Sequence, residues 1–546
     1  MAILDHHRRW LQGASYYSGR QATLAKNDPE PESRRTVMER ARDKYRYNHD
    51  ALAPIPLLTD VPPREHFAEG YILGRTARTA QLLPNAQGWK LGMIFDHFDH
   101  MDDFAKMYPV LAKPTSIPHW ERCDFFASQR LGGPNPMAIR RVDDLEQIPF
   151  ELPDAAAKIA EGRLFMTDYR SMSFIKGGKA EDGRQKHLPI AVGVFEVDAD
   201  KKLAPLAIHL DRRGETVFRD RADANAWLAA KICHQVADSN HHEMVVHLAH
   251  THLNMEPFAI ATNRQLADNH PLAVLLRPHF RFLLTNNALG LEHLLNPGGI
   301  VDHLLAGTLE ESLKLVTDGF EQWSIDKDSF DEDIVARGVD DRELLPNYPW
   351  RDDALLLWDA IGRYVRSYLD LYYPHPSDIA EDAELQAWAA ELADRDGGRI
   401  NDMPARIETV EQIAKLAQTL IFNLGPQHSA VNYAQWDYFG FVPNAPMAAY
   451  SNSDAVDDYA SLMKMLPPQS YSEQQLEAAD ELTCYRFDKL GHFDDEAIVD
   501  ARAVAVLERF RSELADIEAE IDRRNGEREF PYIFLKPSLI LNSPSI

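Results

Sequence analysis

The sequence predicts a mainly α-helical protein with a few small strands. Three observations carry this. Apolar residues recur at helical spacing in long segments: Leu357, Ile361, Tyr364, Tyr368 and Leu371 follow steps of 4, 3, 4 and 3. Val499, Ala503, Val506, Phe510, Leu514, Ile517 and Ile521 do the same over a longer run. Strand character is confined to short stretches, with no strand–helix alternation along the chain, so a doubly wound parallel sheet is disfavoured.

Taken in order, residues 1–50 read as an N-terminal extension, helical or partly disordered, and 51–546 as one large, mainly helical domain with a small strand-containing portion. Within the extension, Ile3, Trp10 and Leu11 form a short amphipathic segment able to touch a bilayer, or else a solvated terminus. Residues 24–36 are polar and read as a linker, and the Pro-rich 55–65 as extended chain. Residues 164–170, 187–197 and 203–210 have strand character. Beyond about residue 220 helix dominates, with Pro271 expected to end one helix and Asn525-Gly526 another.

Composition excludes several classes of function. Lys and Arg total 58 against 85 Asp and Glu, a formal charge of −27. That lacks the basic footprint nucleic acid requires and disfavours docking on anionic lipid. Three cysteines, Cys123, Cys233 and Cys484, stand far apart without a CxxC pair, so neither a disulfide framework nor a thiolate metal site is expected. No run approaches the roughly 20 apolar residues of a membrane span, and the first residues lack a signal peptide's apolar stretch. A cytoplasmic location follows as the expectation.

Histidine is concentrated in one segment of the chain, His241-His242-Glu243-Met244-Val245-Val246-His247-Leu248-Ala249-His250-Thr251-His252. The metalloprotease pattern HExxH needs two histidines four apart, and His242-Glu243 reaches His247 one residue late. His247 and His252 are five apart, which on a regular α-helix leaves them about 140° apart. A π-turn brings positions i and i+5 onto one face, so the pair can clamp a metal only if the helix widens there. Otherwise these are scattered histidines. Farther on, His428 and Asn432 are four apart and share a helix face. An imidazole and an amide oxygen suit iron, manganese or zinc better than calcium; alternatively His428 caps a core carbonyl. Last, the chain ends Asn542-Ser543-Pro544-Ser545-Ile546. A terminal Ile can bury its side chain and turn its α-carboxylate inward, where it needs a cation, or it is a loose end.

Together these features resemble the lipoxygenase family. The run from His247 to Leu266, with Glu256-Pro257-Phe258 and Arg264-Gln265-Leu266, is similar to the family's central signature. It continues through His270-Pro271, Arg277-Pro278-His279-Phe280, Asn287 and Gly298-Gly299-Ile300. Asp124-Phe125-Phe126, Gly133-Pro134-Asn135-Pro136, and Trp227 with Ala230-Lys231 match landmarks upstream. The resemblance implies the family's helical catalytic domain, with a long central helix carrying the π-turn, without the N-terminal β-sandwich of plant and animal members. It implies one non-haem iron, with manganese as the alternative, held by His247, His252, His428, Asn432 and the Ile546 main-chain carboxylate. Asn432 is the weakest of the set. Glu243 falls where the family places a Gln or Glu behind the metal, or is merely an exposed helix carboxylate.

The implied reaction is dioxygenation of a C18 or C20 polyunsaturated fatty acid. Hydrogen abstraction from a cis,cis-1,4-pentadiene by a ferric hydroxide gives a radical that O2 converts to a hydroperoxide. Gly290 stands where S-specific members carry Ala, which implies an R product, unless it only eases helix packing. Leu294 matches the leucine that pins the pentadiene. Asn444-Ala445-Pro446 lacks the Arg that plant members carry there, leaving no anchor for an inverted substrate at that position. The competing readings are a zinc or manganese protein on the same ligands, and a helical lipid-binding protein without catalysis. A monomer with at most peripheral membrane contact is expected.

Overall fold

The structure, a computed structural model, describes residues 16–92, 98–451 and 458–546. The segment bearing Ile3, Trp10 and Leu11 lies outside the described residues. Most of the buried apolar side chains belong to one continuous core. Among the described residues, no helix is long and apolar enough to cross a membrane.

Helix α1, Pro31–Lys44, stands where the polar composition suggested a linker. The correction has a physical reason, because its key polar residue faces inward. Arg34, buried, donates to Glu384 at 2.6 and 2.8 Å and to Asp28 at 2.8 Å, so charge here marks an internal ion pair. Strands β1, Tyr47–Leu52, and β2, Ile55–Leu58, form an antiparallel hairpin, in keeping with the extended character of residues 55–58. Helix α2, Glu69–Thr79, follows.

A five-stranded antiparallel sheet comprises β3 (Arg140–Arg141), β4 (Leu164–Asp168), β5 (Ala191–Val197), β6 (Leu203–Leu210) and β7 (Glu215–Phe218), in that order. The three inner strands are the ones the sequence marks. The edge strands were not expected: β3 has two residues, and β7 (ETVF) has no buried residue to set a pattern. The sheet packs on α3, Ala224–His241, whose outer turns are capped by Asp223 accepting from Asn225 and Ala226.

Helix α3 runs without a break into a π-helix, His242–His252, then one 3₁₀ turn, Leu253–Met255, then α4, Glu256–Gln265. Pro271 does not end this rod; it opens the next helix, α5 (Pro271–Phe280), at a first-turn position where its missing N–H costs nothing. Helix α6, Leu283–His293, and α7, Leu309–Gln322, flank the π-helix. Gly319 on α7 lies so close that a Cβ there would stand 3.1 Å from the Ala249 Cβ, a tight contact that glycine relieves.

The two periodic segments are the long helices α8, Pro349–Leu369, and, as the last helix of the chain, Ala501–Asn525; they pack together with Tyr364 stacked on Phe510 at 4.6 Å. The ends differ slightly from the pattern. Leu371 lies past α8, and Val499 is exposed ahead of the Asp500 cap. Gly526 keeps right-handed backbone (φ −65°). The stop comes instead from the Asn525 side chain, which accepts from Tyr532 N–H and donates to its carbonyl at 2.8 Å each. Among the helices between them are α9 (Val410–Phe422), followed by a short π-segment, α10 (His428–Phe439) and α11 (Gln469–Thr483); the last helix is labelled α12.

Candidate metal centre and its cavity

The π-helix does what the five-residue spacing demanded. His247 and His252 face one way, their Nε2 atoms 3.3 Å apart. His428, from the first turn of α10, brings its Nε2 to 3.1 Å from that of His252. All three rings are buried. Among the described residues this is the one group of three His, Cys, Asp or Glu side chains whose donor atoms lie within 4.8 Å of one another.

The chemistry of the group fits a cation. Burial pushes all three imidazoles below their usual range, His252 to about 3, so the rings are neutral. His252 Nδ1 faces the Asn287 Oδ1 at 3.2 Å. An amide oxygen only accepts, so Nδ1 carries the proton and Nε2 keeps its lone pair. Three buried nitrogens crowded within about a hydrogen-bond length repel one another unless something positive sits among them.

The other expected residues lie around this point. Asn432 is fully buried one turn past His428; its Nδ2 donates to the Leu482 carbonyl at 2.6 Å and its Oδ1 accepts from Gln435 at 3.1 Å. Ile546 is 2% exposed and lines the same cavity as His247 and His252, so the terminus is not loose. The tail is pinned along its length. Asn542 donates to the carbonyls of Lys489 and His492 and accepts from Gly491 N–H. Ser543 donates to the Arg281 carbonyl, and the Tyr71 hydroxyl donates to the Ser545 carbonyl at 2.5 Å.

Glu243 is half-buried and lines the cavity, its carboxylate 3.6 Å from His247 Nδ1 and 3.5 Å from His242 Nδ1. Burial opposes its charge, but the flanking imidazoles prevail and hold it down to about 2. It is not the exposed helix carboxylate of the alternative reading. His242 turns its Nε2 to the Val431 carbonyl at 3.1 Å, and His250 faces the Gly319 carbonyl on α7; neither joins the cluster.

His247 and His252 line a cavity of about 670 Å³ with a mostly apolar wall. Gly290 and Leu294 line it, the Leu294 N–H donating to the Gly290 carbonyl at 2.8 Å. A Cβ on Gly290 would meet only Leu294 Cδ1, at 3.8 Å. Packing therefore does not require glycine here, and the missing methyl is space in the cavity wall. Arg75, on α2, is the one Lys or Arg among the described lining residues. Asn444, by contrast, is tied to Gln129 and the Tyr438 carbonyl and does not line the cavity.

Sequence reasoning gave no role to Asn287, Glu256, Gln435 or Tyr71. Asn287 and Glu256 were visible as landmarks, yet their partners come from other helices, and no spacing in the chain announces such a contact.

Comparison with known proteins agrees with this geometry. The lipoxygenase family model matches residues 146–532. The linoleate 9/13-lipoxygenase of Pseudomonas aeruginosa is 32% identical over 489 residues, covering 82% of this chain and 70% of that protein. The human polyunsaturated fatty acid lipoxygenase ALOX15B is 32% identical over 452 residues, 78% of this chain and 66% of that one. The allene oxide synthase-lipoxygenase protein of Plexaura homomalla is 29% identical, with 83% of this chain and 47% of that one covered. The chain thus spans from about half to about two thirds of the length of these relatives. A lipoxygenase crystallised in complex with arachidonate superposes with a TM-score of 0.89 at 27% identity, covering 96% of this chain and 84% of that one. A coral 8R-lipoxygenase gives 0.88 at 27%, with 96% and 83% covered. With the family model matched over residues 146–532 and a relative 32% identical over 82% of this chain, the chain belongs to the lipoxygenase family.

Proposed function

We propose that this protein is a dioxygenase that inserts O2 into a polyunsaturated fatty acid bearing a cis,cis-1,4-pentadiene, giving a hydroperoxide of R configuration. Residues 51–546 form the catalytic unit, acting as a monomer in the cytoplasm. The observation that carries the reading is the convergence of three buried imidazoles, two of which line a mostly apolar cavity of about 670 Å³.

His247, His252, His428, Asn432 and the Ile546 carboxylate would hold one iron ion, which supplies the one-electron oxidation that a bis-allylic C–H, too weak an acid for any side-chain base, requires. Overall, one C–H bond is exchanged for a C–O bond, and both oxygen atoms and the hydrogen end in the hydroperoxide. The remaining work falls to the chain. The apolar wall binds the hydrocarbon and excludes water from a radical. Leu294 presses the pentadiene toward the histidines, and the space at Gly290 admits O2 to one carbon. Glu243 orients His247 through its Nδ1. Arg75 offers the substrate carboxylate a counter-ion.

Metal analysis with oxygen uptake on linoleate, followed by conjugated-diene absorbance, tests the reading. Iron near one per chain and diene formation are expected, with both nearly lost in His247→Ala, His252→Ala or His428→Ala and only reduced in Asn432→Ala. Manganese with the same product would change the metal alone. Zinc, or fatty-acid binding without oxygen consumption, would defeat the proposal.

A further inference from the structure

Glu256 is a buried carboxylate that the reaction does not use. It sits in the first turn of α4, one helical turn past His252, and is 3% exposed. No cation pairs with it among the described residues. Its Oε1 accepts from the Leu58 N–H of β2 at 2.7 Å, and its Oε2 accepts from Asn287 Nδ2 at 2.7 Å. A carboxylate held in the core by neutral donors alone is costly: burial pushes it up to about 7, with the bonds from Asn287 and Leu58 pulling the other way. A group kept at such a cost calls for a reason.

The reason lies one bond farther on. Asn287, 4% exposed, has two amide hydrogens, and both are taken by acceptors: Glu256 at 2.7 Å and the His252 carbonyl at 3.2 Å. Its orientation is therefore fixed, and Oδ1 must point to His252 Nδ1. We propose that Glu256 is a positioning residue for His252: by locking the Asn287 amide it holds His252 as the Nδ1–H tautomer and presents the Nε2 lone pair to the metal. The inference rests on the metal reading above and adds an origin for the ligand's protonation state. It also ties the β1–β2 hairpin to the metal site through one backbone N–H.

Glu256→Gln tests it with almost no change of shape. A carboxylate accepts at both oxygens, a glutamine amide at one. If its oxygen stays on Leu58, its NH2 meets the Asn287 NH2, and the relief is a flipped Asn287 that turns a donor toward His252 Nδ1. The proton then moves to Nε2, which no longer ligates.

Metal-free wild type, Glu256→Gln, Asn287→Leu and the double variant would be titrated anaerobically with ferrous ion, and the melting temperature of each metal-free protein recorded. Glu256→Gln should bind iron ten- to a hundredfold more weakly, with no loss of metal-free melting temperature. The double variant should bind no worse than Asn287→Leu alone, because the effect passes through Asn287. A merely structural Glu256 would instead lower the metal-free melting temperature and add its loss to that of Asn287→Leu. Unchanged iron affinity in Glu256→Gln, or additive losses, overturns the proposal and leaves the metal reading standing. A wild type that takes up no iron overturns both. Should Glu256→Gln not fold, Asn287→Leu decides alone: wild-type affinity there also overturns the proposal.

Discussion

Gly290 offers a sharp test at the scale of single residues. One methyl fits beside Leu294 without strain, so Gly290→Ala should fold and keep its iron. A methyl in a packed pocket is worth about 1–3 kcal/mol, enough to shift a product ratio tenfold. Chiral chromatography of the reduced products should show an R product from the wild type and a shift toward S at the other end of the pentadiene in the variant. Unaltered regio- and stereochemistry would make Gly290 irrelevant to product control. The buried cluster of His247, His252 and His428 was legible in part at this scale, because side chains gathered from one helix leave a spacing in the sequence, as the five residues from His247 to His252 do. The contacts of Asn287, Glu256 and Gln435 were not, because a bond to a partner on another element leaves no spacing. Glu243 was legible by position, but only the structure removes its exposed alternative.

Among elements, the C-terminal tail makes the strongest prediction. Residues 541–546 are all buried, and bonds from Asn542, Ser543 and Tyr71 fix their path. Extending the chain past Ile546 replaces the carboxylate by an amide and forces bulk into the core. Removing Ile546 moves the carboxylate back about 3.5 Å. A C-terminal tag should lower iron content and turnover at least tenfold, whereas an N-terminal tag should leave both near wild type. Full turnover by C-terminally tagged protein would remove the carboxylate from the ligand set. Element by element, the sequence was clearest where one face is buried, as in α8 and α12, and where three inner strands are nearly all apolar. It misled where burial is ionic: the polar residues of α1 look solvated, yet Arg34 is in the core. Pro271 shows the opposite error, since proline is as good a first residue of a helix as it is a bad middle one.

For the whole molecule, buried histidines outside the three-histidine cluster contribute to acid sensitivity. His234 and His279 are fully buried. Burial, with Arg130 beside it, pushes His234 down to about 3, and burial pushes His279 to about 4 despite its bond to the Asn542 carbonyl. Both stay neutral when folded and protonate near 6.5 when unfolded. Between those values the unfolded chain binds more protons, so each withdraws about 1.4 kcal/mol per pH unit as pH falls below 6.5. Carboxylates raised by burial, such as Asp480 at about 6, act in the opposite sense. A difference measurement isolates the histidine: by denaturant unfolding of metal-free protein, wild type should lose about 1.4 kcal/mol more than His279→Gln between pH 7.5 and 5.5. Parallel profiles would refute the assignment.

The spread of the proposed donors along the chain, from His247 to Ile546, also implies an order of assembly. The unfolded chain offers 22 histidines, and those crowded between His241 and His252 meet long before His428 can reach them. With the iron site proposed above, iron present during refolding would be captured by these local, non-native sets, whereas iron added afterward would meet one finished pocket. Protein refolded first and metallated second should therefore recover more activity than protein refolded with iron from the start, and equal recoveries would mean that the pocket gathers its metal from the open chain.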